Sequence, residues 1–115
     1  MRYEVKKITK MIDEVLTFFI YNYNSCAKVD LMCQTDGYRI GFDFPGLHIS
    51  DEEIARIKKL LKAKRDPSLA NYYWQLTGEV EDDCELPLVA LMADKVDIKK
   101  DETGVKLIIY RKKLE

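Results

Sequence analysis

A chain of 115 residues and 13.5 kDa suits one domain over residues 1–115, and its 47% hydrophobic and 10% aromatic content excludes a disordered chain. Folding at this mass removes about two-thirds of the extended chain's surface from water, so a core needs no disulfide or metal staple. Lys+Arg 19 against Asp+Glu 20 leave a net charge of −1, without the basic excess of a dedicated nucleic-acid binder.

Residues 3–24 read as a helix. Val5, Ile8, Ile12, Val15, Phe19 and Tyr23 recur at spacings of three and four, and Met11, Leu16, Phe18 and Ile20 widen that apolar stripe. Residues 27–44 read as a hairpin of two alternating runs, Val29/Leu31/Cys33 and Tyr38/Ile40/Phe42/Phe44. Asp36-Gly37 lies between them, a dipeptide that accepts positive φ at both turn positions. Residues 51–65 read as a second helix. Ser50 and Glu53 have capping-box spacing, Asp51, Glu52 and Glu53 load the first turn, and Lys62, Lys64 and Arg65 load the last. Its buried face is Ile54, Ile57, Leu60 and Leu61, and Asp66-Pro67 ends it.

Residues 67–85 are the least regular stretch, with the aromatic cluster Tyr72-Tyr73-Trp74 and the acidic run Glu79–Glu85. Residues 87–94 read as a short helix with Pro87 at its first position. Residues 95–100 and 105–112 form a second hairpin, Val96/Ile98 against Val105/Leu107/Ile109, through Asp101–Gly104. The order α-β-β-α-(α)-α-β-β predicts an α+β fold, a two-layer sandwich with helices on one face of a mixed or antiparallel sheet.

Little here marks a reaction centre. Cys26, Cys33 and Cys84 are odd in number, lack a Cys-x-x-Cys spacing and read as free, buried or semi-buried thiols of a reducing, cytoplasmic compartment. One histidine, His48, with three scattered cysteines makes no zinc pattern, and His48 reads as a loop residue before a helix cap. The apolar run Phe18–Tyr21 is far short of a membrane span, and Asp13 and Glu14 before it are unlike a signal peptide. The acidic run lacks EF-hand spacing and reads as a solvated loop. Arg56, Lys58, Lys59, Lys62, Lys64 and Arg65 read as the solvent face of the second helix. Tyr72, Tyr73 and Trp74 cannot all point inward and are candidate partner contacts.

Three segments nevertheless resemble the GHKL ATPase family, the Bergerat-type fold of histidine-kinase ATP-binding domains and anti-sigma-factor serine kinases. Glu85-Leu86-Pro87-Leu88, with the helix running to Asp94-Lys95-Val96-Asp97-Ile98, is similar to the family's second glycine box, Gly-Leu-Gly-Leu, and the Asp-x-Val-x-Ile after it. Phe44-Pro45-Gly46-Leu47-His48-Ile49, at the end of a hairpin strand, is similar to the first box, Asp-x-Gly-x-Gly-Ile, with Gly46 and Ile49 on matching positions. Val15–Asn22 resembles the helix of the asparagine box, with Asn22 on the magnesium-binding Asn. A shift of four residues instead puts Glu14 on the general base and Phe18 on the Asn.

The departures from this pattern fall on chemistry. The adenine-reading Asp is Phe44, the second glycine of the first box is His48, and the glycines of the second box are Glu85 and Pro87. Pro87 removes a backbone donor, and the acidic run would repel a triphosphate. The resemblance therefore implies a vestigial nucleotide pocket at Asn22, Phe44, Gly46, His48, Glu85 and Pro87, with no catalytic residue, no metal site and no ATP or Mg²⁺ as cofactor. The expected function is an inactive, cytoplasmic regulatory module that binds a protein partner or a second copy, and neither nucleic acid nor membrane. Two alternatives stay open: an active anti-sigma-type serine kinase or ATPase with an altered pocket, and an unrelated α+β module for a small ligand.

Overall fold

A computed structural model describes residues 2–62 and 86–112. Its elements in chain order are α1 (Arg2–Tyr23), β1 (Lys28–Cys33), β2 (Gly37–Pro45), α2 (Asp51–Leu61), α3 (Leu86–Met92), β3 (Lys95–Asp101) and β4 (Gly104–Lys112). The four strands form one antiparallel sheet in the order β1-β2-β4-β3. The fold is α+β, with the helices on one face of this sheet.

Alternation along the strands decides which face is covered. Ile40, Phe42 and Phe44 of β2 pair with Ile109, Leu107 and Val105 of β4, and these six with Ile98 of β3 are buried under the helices. The opposite face carries Arg39, Asp43, Lys95, Asp97, Lys99 and Lys106. The second hairpin pairs in the expected register, Val96 facing Ile109 and Ile98 facing Leu107. Its turn is closed by Asp101, whose Oδ1 accepts from the Thr103 N–H at 2.8 Å.

Helix α1 runs over 22 residues and stops where Asn24 takes φ 51 and donates its N–H to Ile20 O at 2.8 Å. Its buried seam is Ile8, Met11, Val15, Phe18 and Phe19, which takes in the expected stripe at Ile8, Val15 and Phe19, and Ile12 and Tyr23 pack against it. Val5 is exposed and Tyr23 half-buried. The helix is apolar over more of its circumference than its neighbours can cover, and the seam carrying Met11 and both phenylalanines packs inward. Glu14 is also buried, and it pairs with Lys10 one turn back at 2.6 Å.

Helix α2 begins at a true N-cap, the Ser50 hydroxyl accepting from the Glu53 N–H at 3.1 Å, and buries Ile54, Ile57 and Leu61. It ends at Leu61 with Lys62 as its cap, and the expected continuation over residues 63–65 lies outside the described residues. Helix α3 is described from Leu86 and includes Pro87, and every residue from Leu86 to Ala90 is buried. It packs against both α1 and α2, and α2 packs against β3.

Two details of the first hairpin differ from expectation. Gln34 and Gly37 exchange backbone hydrogen bonds, which makes Thr35-Asp36 the turn, and neither residue has positive φ. Gly37 is instead required by packing, because a Cβ there would fall on the Arg111 carbonyl oxygen of β4. And β1 is exposed along its whole length, so its alternation does not mark a buried face.

Candidate functional site

The four described residues of the expected pocket that lie outside α3 surround the end of β2 and the start of α2. Phe44, the next-to-last residue of β2, is 0% exposed. Its ring stacks on Phe19 of α1, centroids 4.1 Å apart and planes at 23°, and lies parallel to Phe42 at 6.2 Å. The chain then turns at Gly46, φ +77, which donates its N–H to Thr103 O at 2.8 Å in the β3–β4 turn. Nothing lies within 4 Å of a Cβ built there, so backbone conformation rather than crowding selects glycine. His48 is exposed in the following loop. Asn22 is exposed near the end of α1, and its Nδ2 donates to Phe18 O at 2.9 Å, one turn back on its own helix.

Pro87 is buried in α3. Glu85, the acidic run, Cys84, Lys64, Arg65 and the cluster Tyr72, Tyr73 and Trp74 lie outside the described residues. The structure therefore groups Phe44, Gly46 and His48 on one short segment beside the C-terminal end of α1, with Phe44 and Pro87 buried and Asn22 and His48 facing solvent. Of the clefts on the described surface, those of about 380, 310 and 130 Å³ take in none of these residues. The widest of the three lies at the opposite end of β2, beside Gly37 and Arg111. Three of its charged groups are engaged: Arg111 with Glu4, Asp94 with the Lys112 N–H, Lys95 over the Tyr110 ring.

Sequence reasoning missed the polar contacts that brace this end of the molecule. The Tyr23 hydroxyl donates to Glu53 Oε1 at 2.7 Å, joining the end of α1 to the start of α2. Burial and that carboxylate push the Tyr23 pKa up to about 12, and the same hydrogen bond holds Glu53 below the usual carboxylate range. Lys100 of β3 reaches Asp51 at 2.8 Å and donates to Ile49 O at 2.8 Å, and it lowers the Asp51 pKa. At the other end of α1, Arg111 makes a two-pronged contact with Glu4, at 2.8 and 3.0 Å, and also donates to Met92 O. Among the described residues, Ser50/Glu53, Lys10/Glu14 and Glu53/Arg56 have a local spacing that reveals them in sequence.

Cys26 and Cys33 are exposed free thiols, contrary to the expectation of burial. Cys26 lies in the connection after α1 and Cys33 on β1, a strand exposed along its whole length. Among the described residues no cluster of three or more His, Cys, Asp and Glu side chains is arranged to hold a metal ion. Among them, too, no helix is long and apolar enough to cross a membrane. No model of a known protein family matches the chain, and no curated protein matches it.

Proposed function

We propose that this chain is a GHKL-like domain that has lost its nucleotide site and acts as a regulatory module through protein contacts, without ATPase or kinase activity. The observation that carries the proposal is Phe44. At the position where the resemblance calls for a carboxylate to read adenine, the residue is a fully buried ring stacked on Phe19. A phenyl ring offers no carboxylate to accept the amino group's hydrogen bond. Pro87, at a glycine position of the second box, is buried and offers no N–H to a phosphate. The residues present do not fit ATP. The element order and the positive φ of Gly46 support the family reading.

Titration with a fluorescent ATP analogue and Mg²⁺ tests the proposal. The expected result is no saturable binding; saturable binding at micromolar concentrations refutes it.

A further inference from the structure

The two edges of the sheet are built differently. The β3 edge carries Lys95, Asp97, Lys99, Lys100 and Asp101 and is flanked by α2. Such charges discourage a strand from adding there. The β1 edge is Lys28-Val29-Asp30-Leu31-Met32-Cys33, all six residues exposed, with Val29 at 41% and Leu31 and Met32 at 45%. Because Gln34 and Gly37 form a hydrogen-bonded pair, alternation makes Met32, Asp30 and Lys28 the residues that bond to β2. Val29, Leu31 and Cys33 therefore direct their N–H and C=O groups to the open edge.

We propose that β1 pairs antiparallel with β1 of a second copy of this chain, joining two four-stranded sheets into one. It deepens the reading above, on which it rests for contact being the protein's role, by naming the surface and the partner. Charge selects both partner and register. Outward-facing residues must meet outward-facing residues. Centring the two-fold axis on Val29 sets Lys28 opposite Asp30 of the second copy, twice, and Ala27 opposite Leu31. Lys28 and Asp30 then occupy non-hydrogen-bonded positions, where opposed side chains come closest. Centring on Asp30 would set that carboxylate against its own copy. The strand is self-complementary in the first register and repels itself in the second.

Light scattering across a dilution series from micromolar to millimolar chain reads the assembly. The expected wild type is a monomer–dimer equilibrium. Lys28→Glu and Asp30→Lys each replace two attractions by two repulsions and raise the dimer Kd about tenfold or more. Mixing these two single variants, or combining them in one chain, restores dimerisation, a recovery that misfolding cannot produce. With all three native cysteines replaced by Ser, Val29→Cys oxidises to a linked dimer, since residues of a hydrogen-bonded pair lie about 5.5 Å apart at Cα. Leu31→Cys does not link. A strict monomer at millimolar chain, a dimer indifferent to both charge reversals, or linking through Leu31→Cys in place of Val29→Cys overturns the proposal. Nucleotide titration of the same samples keeps the two readings separate: a dimer that binds Mg-ATP sinks only the lost-site reading, and a monomer that binds none sinks only the edge pairing.

Discussion

If Phe44 belongs to the core rather than to a pocket, its removal has the cost of a core cavity. The ring is wholly buried between Phe19 at 4.1 Å and Phe42 at 6.2 Å. Phe→Ala at such sites costs about 3–5 kcal/mol, of which each lost ring pair accounts for about 0.5–1.5 kcal/mol. Two ring neighbours put Phe44→Ala near the middle, about 4 kcal/mol, a large share of the ~5–15 kcal/mol that holds a small domain folded. Urea unfolding followed by far-ultraviolet circular dichroism reads this directly. With a slope of about 1.5 kcal/mol per molar urea, the midpoint falls by about 2.7 M. A loss under about 1 kcal/mol would mean that the ring borders space it does not fill, and the reasoning from burial would be wrong. Phe44→Asp supplies the carboxylate of the family pattern and sharpens the contrast. The expected outcome is an unfolded or molten chain, because a lone charge is placed among apolar groups. A folded Phe44→Asp variant that gains Mg-ATP binding would refute the core assignment outright.

The polar braces and the glycines give further expectations. Tyr23→Phe loses the bond to Glu53 and about 1 kcal/mol at neutral pH, measured by the same urea melts. Because the folded pKa of Tyr23 is raised, its contribution is fully present below the unfolded value near 10 and disappears as pH rises toward about 12, so the gap between wild type and Tyr23→Phe closes over that window. Arg111→Lys abolishes the two-pronged contact with Glu4 and costs about 1–3 kcal/mol. Arg111 holds the Glu4 carboxyl below its ordinary range, so that stabilisation is present above the unfolded carboxylate pKa and is lost as pH falls through the lowered folded value. Gly104→Ala, at φ +141 with its new Cβ on the Phe44 carbonyl oxygen, costs about 3 kcal/mol; Gly46→Ala, with open space around it, costs about 1 kcal/mol. Equal costs for the two would remove crowding as the distinction.

Most of the architecture is readable from periodicity. The three described helices and both hairpins are announced by spacings of three and four, by alternation, and by the cap at Ser50, all of which depend on neighbours a few residues away. What the sequence hides depends on who covers whom. Val29 and Leu31 alternate as well as Val96 and Ile98 do, yet the first pair is exposed on an outer strand and Ile98 is buried beneath the helices. The Asp36-Gly37 signal locates the turn to within one residue and misstates why the glycine is there, because the clash that requires it comes from β4, more than seventy positions away. Arg111 and Glu4 are separated by 107 residues and leave no local trace. Of the expected pocket, the segment Phe44–His48 is legible as a single strand end. Whether Phe44 faces inward rests on the packing of α1 above it.

The bracing of that strand end also bears on what the protein does. Backbone that receives a nucleotide has to expose N–H groups and adjust around phosphate. Here the Gly46 N–H is held by Thr103, the Ile49 carbonyl and Asp51 are held by Lys100, and Tyr23 clasps Glu53. Among the described residues no buried side-chain nitrogen or oxygen lacks a partner. On the reading proposed above, the lost site has been absorbed into the core: the Phe44 ring and these bonds hold the strand end together. Its residues serve cohesion, which moves the search for function to groups whose hydrogen bonds and apolar surface are still unspent. The β1 edge is that place. An uncovered strand carrying Val29, Leu31 and Met32 is an aggregation hazard unless something specific occupies it. A partner strand that satisfies the outward N–H and C=O groups and matches Lys28 with Asp30 removes the hazard and supplies the contact in one step.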